Sequence, residues 1–188
     1  MSTHSKYVRG YFLQKQIKKT AIWIIQIAAA VLLGFVCAYM FGQRVVVTES
    51  SMEPTIQPGD KIFIDVAAYK LSSPKRGDII VFENGSKDDS GLNIRRIIGL
   101  PGETIQIVDG QILIDGTVYE EEGFETITNP GTAGEPVVIG SNEYFVLGDN
   151  RNNSEDSRHL DIGLIKEENI VGKLWLRYSP SDSFGLVG

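Results

Sequence analysis

Before Glu49 the chain has neither aspartate nor glutamate. It has one cysteine, Cys37, and two histidines, His4 and His159. A single thiol excludes an intramolecular disulfide, so the fold must be held by its core. Without a Cys/His cluster no zinc site is expected, and nothing in the sequence calls for another metal or a cofactor. The acid-free start carries five basic residues up to Gln43, namely Lys6, Arg9, Lys15, Lys18 and Lys19. After Gln43 the other thirteen basic residues face all 24 acidic ones, a net of −11. A domain that acidic is a poor partner for nucleic acid, whose phosphates want a basic face.

Charge is also missing from "AIWIIQIAAAVLLGFVCAYMFG", residues 21–42, where Gln26 is the one strongly polar side chain. At 1.5 Å per residue such a helix is roughly 33 Å long, about the hydrocarbon thickness of a bilayer. A globular core helix rarely stays apolar on every face for this length. The apolar core of a cleaved signal peptide is shorter, roughly 7 to 15 residues, so an uncleaved anchor in membrane lipid is expected. Basic residues precede the run and an acidic segment follows it. By the positive-inside rule residues 1–20 form a cytoplasmic tail, 21–42 a transmembrane helix, and 43–188 an extracytoplasmic domain.

That domain reads as strands. "RVVVTE" (44–49), "DKIFIDVAA" (60–68), "GDIIVFEN" (77–84), "LNIRRIIGL" (92–100), "PVVIGSNEYFVLGDN" (136–150) and "IVGKLWLRYSP" (170–180) are short and rich in β-branched residues. Residues 103–120 alternate around Asp109-Gly110, the strongest hairpin signal present, and Asp115-Gly116 marks another tight turn. "NGSKDDSG" and residues 123–136 read as loops. No helical period stands out after residue 43. The expectation is a mainly β fold, an antiparallel domain on one N-terminal helix.

Three clusters carry chemistry. "TESSMEPTIQPGD" (48–60) places Ser50 and Ser51 just after the apolar run. Taken alone, Ser, Pro and Gly cluster there as turn residues. Arg95 and Arg96 lie side by side in an apolar strand, where neighbours point to opposite faces, so one of them faces inward or into a cleft. An inward charge is costly unless paired. "GDNRNNSEDSRH" (148–159) supplies acids and hydrogen-bonding side chains that such a charge can use.

In order, "SMEPT", "RGDIIVF" (76–82), "RRIIGLPGET" and "GDNRNNSEDSR" resemble the bacterial type I signal peptidases. These are membrane-anchored serine proteases that remove signal peptides from exported preproteins. The resemblance runs from the apolar helix to about Pro180. It implies the β domain of that family, signal peptides as partners, and a site at the outer membrane surface. It makes Ser51 the nucleophile, and Asp149, Asn150, Ser154, Asp156 and Arg158 the support, with Ser154 bonding the base and Asp156 pairing with Arg158. The family's base is a lysine whose burial leaves a neutral amine.

The sequence departs from that pattern twice. The lysine position holds Arg95, which has no acceptor lone pair and stays charged. Two residues before Ser51, where many members have serine or glycine, stands Glu49, the wrong sign to stabilise a developing oxyanion. The Arg95 guanidinium can hydrogen-bond Ser51 or Ser154, or pair with Glu49. Three readings follow: a working peptidase with a relocated base, for which Lys61, Lys173 and His159 are candidates; a silent homologue that binds exported proteins as an assembly or chaperone factor; or an isolated change in an otherwise competent site.

Protease added to intact spheroplasts is expected to digest residues 43–188 and to spare a label placed in residues 1–20. Full protection of the β domain would contradict the orientation.

Overall fold

The computed structural model describes residues 3–70, 72–84, 91–180 and 184–187, with side chains from residue 16 to 35 in the helix and in the rest outside it from residue 42. The "NGSKDDSG" loop falls largely outside these residues. Two compact units divide the chain, residues 1–41 and 42–188.

The first unit is one helix, α1 (Thr3–Phe41), so helix runs through both the basic tail and the apolar run expected from the sequence. Within it Gln16–Phe35 is long and apolar enough to cross a membrane. Its large apolar side chains, among them Trp23, Ile25, Leu32 and Phe35, are all exposed. Burying them in hydrocarbon is what such a surface favours.

The second unit is built from β1 (Gly42–Val46), β2 (Lys61–Asp65), β3 (Ile79–Glu83), β4 (Leu92–Gly99), β5 (Thr104–Val108), β6 (Gln111–Ile114), β7 (Thr117–Tyr119), β8 (Val137–Val138), β9 (Glu143–Leu147), β10 (Ile165–Lys166), β11 (Ile170–Ser179) and β12 (Gly185–Leu186). All pairings are antiparallel. The larger sheet runs β1-β2-β11-β3-β4-β9-β10, with β12 on β11, and the smaller runs β7-β6-β5-β8. Short 3-10 turns at Ala68–Lys70, Gly131–Gly134 and Glu167–Asn169 interrupt the loops.

Turn chemistry sets the small sheet. Val108 pairs with Gln111 and Ile114 with Thr117, leaving two-residue turns at Asp109-Gly110 and Asp115-Gly116. All four turn residues have positive φ, from 51° to 79°, the mirror-image geometry that suits a right-twisted hairpin. Alternation sets the large sheet's packing. Ile79 and Val81 point into a core with Val47, Met52, Ile56, Ile62, Ile64, Ile94 and Leu174. Ile80 and Phe82 point to the other face, with Ile97, Tyr144, Val146 and Ile165. β3 is thus covered on both faces, which is why its sequence is continuously apolar rather than alternating.

Two polar networks lie inside this frame. Asp78 accepts from the Tyr69 hydroxyl at 3.0 Å and from Lys173 Nζ at 2.6 Å. Burial, and then the Asp78 charge, raise the Tyr69 pKa, so this phenol stays protonated. Arg76 donates to the Ile98 carbonyl and to Glu103 Oε1, the latter at 2.5 Å, and Glu103 caps the Leu100 N–H at 2.8 Å. The turn after β4 is tied in this way.

Gly172 in β11 lies against β2, where a Cβ would sit 2.6 Å from the Asp65 carbonyl and 2.7 Å from Ile64 Cγ2. Gly172→Ala is therefore expected to destabilise the domain by about 1–3 kcal/mol, the cost of overpacking. Urea unfolding followed by tryptophan fluorescence reads this, and an unchanged midpoint would contradict it.

Candidate active site

Met52, fully buried, pins the turn that carries Ser51 into the core. The Glu53 N–H donates to the Ser50 carbonyl at 3.2 Å and the Ile56 N–H to the Met52 carbonyl at 3.0 Å, closing the turn. The 148–158 loop clamps it from outside. Asn150 donates its backbone N–H to the Ser51 carbonyl at 3.0 Å and Nδ2 to the Ser50 carbonyl at 3.2 Å. Thr55 Oγ1 donates to Asp149 Oδ2 at 2.5 Å. Gly148 is needed there, because a Cβ would collide with the Ser154 side chain and lie 2.5 Å from the Ser51 carbonyl.

β4 delivers two arginines to opposite faces, as strand geometry requires. Arg96 Nε and Nη2 grip Asp149 at 2.8 and 2.7 Å, and Nη1 donates to the Gly77 carbonyl at 2.9 Å. Burial pulls the Arg96 pKa down, but the hydrogen bonds and charge of Asp149 outweigh it and the net shift is upward. Arg95 is 2% exposed. Its Nε donates to the Glu155 carbonyl at 2.7 Å. Its Nη1 lies 2.7 Å from the Ile94 carbonyl, 2.8 Å from Ser51 Oγ and 3.0 Å from Glu49 Oε2. Ser51 Oγ in turn donates to Glu49 Oε2 at 3.1 Å. Serine, arginine and glutamate therefore form a closed triangle of charge-assisted hydrogen bonds.

Asp156, fully buried, organises the loop. It accepts from Arg158 Nε and Nη2, both at 2.8 Å, from the Gly148 N–H at 3.1 Å and from Ser154 Oγ at 2.9 Å. Asp156 and Arg158 are thus a bidentate pair. The Ser154 hydroxyl donates to this acid, and among the described residues it makes no bond to Arg95. Arg95 donates instead to the carbonyl of Glu155, next in the chain to Ser154.

Ser51, Arg95, Ser154, Arg158 and Glu49 line one open cavity of 760 Å³. Of the three candidate replacement bases only His159 shares it. The His159 Nδ1 accepts the Asp156 N–H at 3.4 Å. Lys173 is engaged by Asp78, and Lys61 is exposed on β2. Sequence reasoning missed Arg151, which also lines the cavity, pairs with Glu121 at 2.6 Å and stacks 4.3 Å over Phe124. The 29 residues of chain between Glu121 and Arg151 hid that pair. No cluster of His, Cys, Asp and Glu suited to a metal occurs among the described residues.

Residues 20–179 match the family model described as signal peptidase, peptidase S26. The chain belongs to this family. Signal peptidase I of Leptolyngbya laminosa is 36% identical over 148 residues, 76% of this chain and 71% of its own length. Signal peptidase IB of Staphylococcus aureus is 30% identical over 183 residues, 89% of this chain and 93% of its own. A crystal structure of an Enterococcus faecalis signal peptidase I, 29% identical, aligns with a TM-score of 0.43 over 55% of this chain and 97% of that one. The assignment rests on the sequence matches. Peptidase S26 members are serine endopeptidases, and the alternative of a silent assembly or chaperone factor finds no support among these relatives.

Removing Asp156 would leave Arg158, 4% exposed, without its carboxylate. Asp156→Ala is expected to cost about 3–5 kcal/mol, the penalty of an orphaned buried charge. Chemical denaturation measures it, and a loss below about 1 kcal/mol would show that the pair does not hold the loop.

Proposed function

We propose that the chain is a membrane-anchored serine endopeptidase that removes signal peptides from exported preproteins, with Ser51 as its nucleophile. The observation that carries this is the placement of Ser51 Oγ, held by charged partners beside a half-paired strand edge. Leu92, Asn93, Ile94 and Arg95 pair with β3 on one side, while pairing to β9 begins only at Arg96. An extended peptide can add to that free edge and to the segment following β1 by main-chain hydrogen bonds.

Side-chain selection follows from a small hollow of 20 Å³ between Val45, Val47, Met52, Leu92 and Ile94, next to Ser51. It suits a methyl group and little more. Alternate residues of an extended peptide face the same way, so positions −1 and −3 are read together. The Ser51 N–H makes no hydrogen bond among the described residues and is a donor for the oxyanion.

By the positive-inside rule the basic tail supports a cytoplasmic start of α1 and a β domain outside. Nine residues separate Phe41 from Ser51. This short separation in sequence from an apolar anchor supports cleavage at the outer membrane surface.

A preprotein with alanine at −1 and −3 is the test substrate for the full chain in detergent. Ser51→Ala is expected to lower its cleavage by at least about a thousandfold. A bulky residue at −1 should slow cleavage more than the same residue at −2. Equal tolerance at both positions, or an active Ser51→Ala variant, would contradict the proposal.

A further inference from the structure

Resting on that reading of Ser51, the geometry points to Glu49 as the group that takes the serine proton, with Arg95 holding both. A serine nucleophile needs an acceptor within hydrogen-bond reach. Arginine has none. The acceptor that Ser51 Oγ contacts is Glu49 Oε2, at 3.1 Å. The directions of the bonds are fixed by chemistry. A guanidinium only donates, so Arg95 Nη1 gives a hydrogen to Ser51 Oγ at 2.8 Å. A carboxylate only accepts, so the serine hydrogen goes to Glu49. The hydroxyl is polarised from both ends, and the cation stands where negative charge gathers on Oγ.

Exposure fits the role. The Arg95 side chain is 2% exposed and the Glu49 side chain 36%. The cation is fixed and the acid opens to the cavity, where a leaving group departs. Competing acceptors are occupied or distant. Ser154 donates to Asp156, His159 Nδ1 is taken by the Asp156 N–H, and neither Lys61 nor Lys173 lines the cavity.

The step balances. Ser51 Oγ bonds to the scissile carbonyl carbon as its O–H breaks, the proton moves to Glu49 Oε2, and the carbonyl π pair moves to oxygen. On collapse the C–N bond breaks and Glu49 returns the proton to the leaving amine, leaving an ester on Ser51. Water then attacks the ester, Glu49 takes the water proton, and Ser51 Oγ receives it as the ester bond breaks.

The test compares full-length protein in detergent on one preprotein, across wild type, Ser51→Ala, Glu49→Gln, Glu49→Asp, His159→Gln and the double variant Glu49→Ser with Arg95→Lys. Glu49→Gln keeps the size of the side chain and its hydrogen-bonding oxygen, and is expected to lower kcat by at least about a hundredfold with little change in KM. Glu49→Asp should retain more activity than Glu49→Gln. The charged or titrating groups around Glu49 are Arg95 from β4, and Arg151, Glu155, Arg158 and His159 from the loop that closes the cavity. In the double variant the base is a lysine amine, so its rate should climb with pH.

Retention of more than about a tenth of wild-type activity in Glu49→Gln would overturn the assignment of Glu49 and leave Ser51 standing. So would a larger loss in His159→Gln, or an inert wild type beside an active double variant. An active Ser51→Ala, or no cleavage by any form including the double variant, would instead overturn the reading of Ser51 on which the inference rests.

Discussion

A buried guanidinium that cannot shed its proton dictates the arrangement around it. Lysine in the same place has the option of neutrality. Arg95 does not, so the protein must supply acceptors on every side it can. Two are backbone carbonyls, of Ile94 and Glu155, and two are the side chains of Ser51 and Glu49. Arg95 and Glu49 are thereby one feature. An acid two residues before the serine is poorly placed to help an oxyanion directly, but it is well placed to compensate a buried cation.

The neighbouring arginine does a different job with the same chemistry. Arg96, one residue on and therefore on the opposite face of β4, clamps Asp149, which in turn holds Thr55. Asn150 then fixes the carbonyls of Ser50 and Ser51. A single strand thus controls the serine twice, through its side-chain partner on one face and through its backbone on the other. The Asp156–Arg158 pair keeps the clamp itself in shape, with Gly148 leaving room for Ser154 beneath.

Local chemistry made much of this legible in the sequence. The Asp-Gly turns require positive φ and announce both hairpins, the charge-free run marks the helix, and the alternation of Arg95 and Arg96 assigns them to different faces. The pairing of Arg95 with Glu49 was readable as one option because a buried cation must find an anion. Contacts set by tertiary packing were not readable in the same way. Arg151 with Glu121 joins two loops that the sequence shows only as polar. Ser154 looks like a partner for the base, yet Asp156, two residues away and fully buried, is the stronger acceptor. The start of the helix at Thr3 was hidden because a basic, non-amphipathic tail shows no helical period.

The central claim is that Ser51 is an activated nucleophile although no lysine stands beside it. Reaction of the full-length protein with a small uncharged aryl phosphonate, followed by intact mass and peptide mapping, tests this without depending on any choice of peptide substrate. The account predicts a single adduct on Ser51, with Ser50 unmodified and labelling lost in Ser51→Ala. Absence of any adduct, or one that forms equally on Ser50 and Ser51, would contradict it.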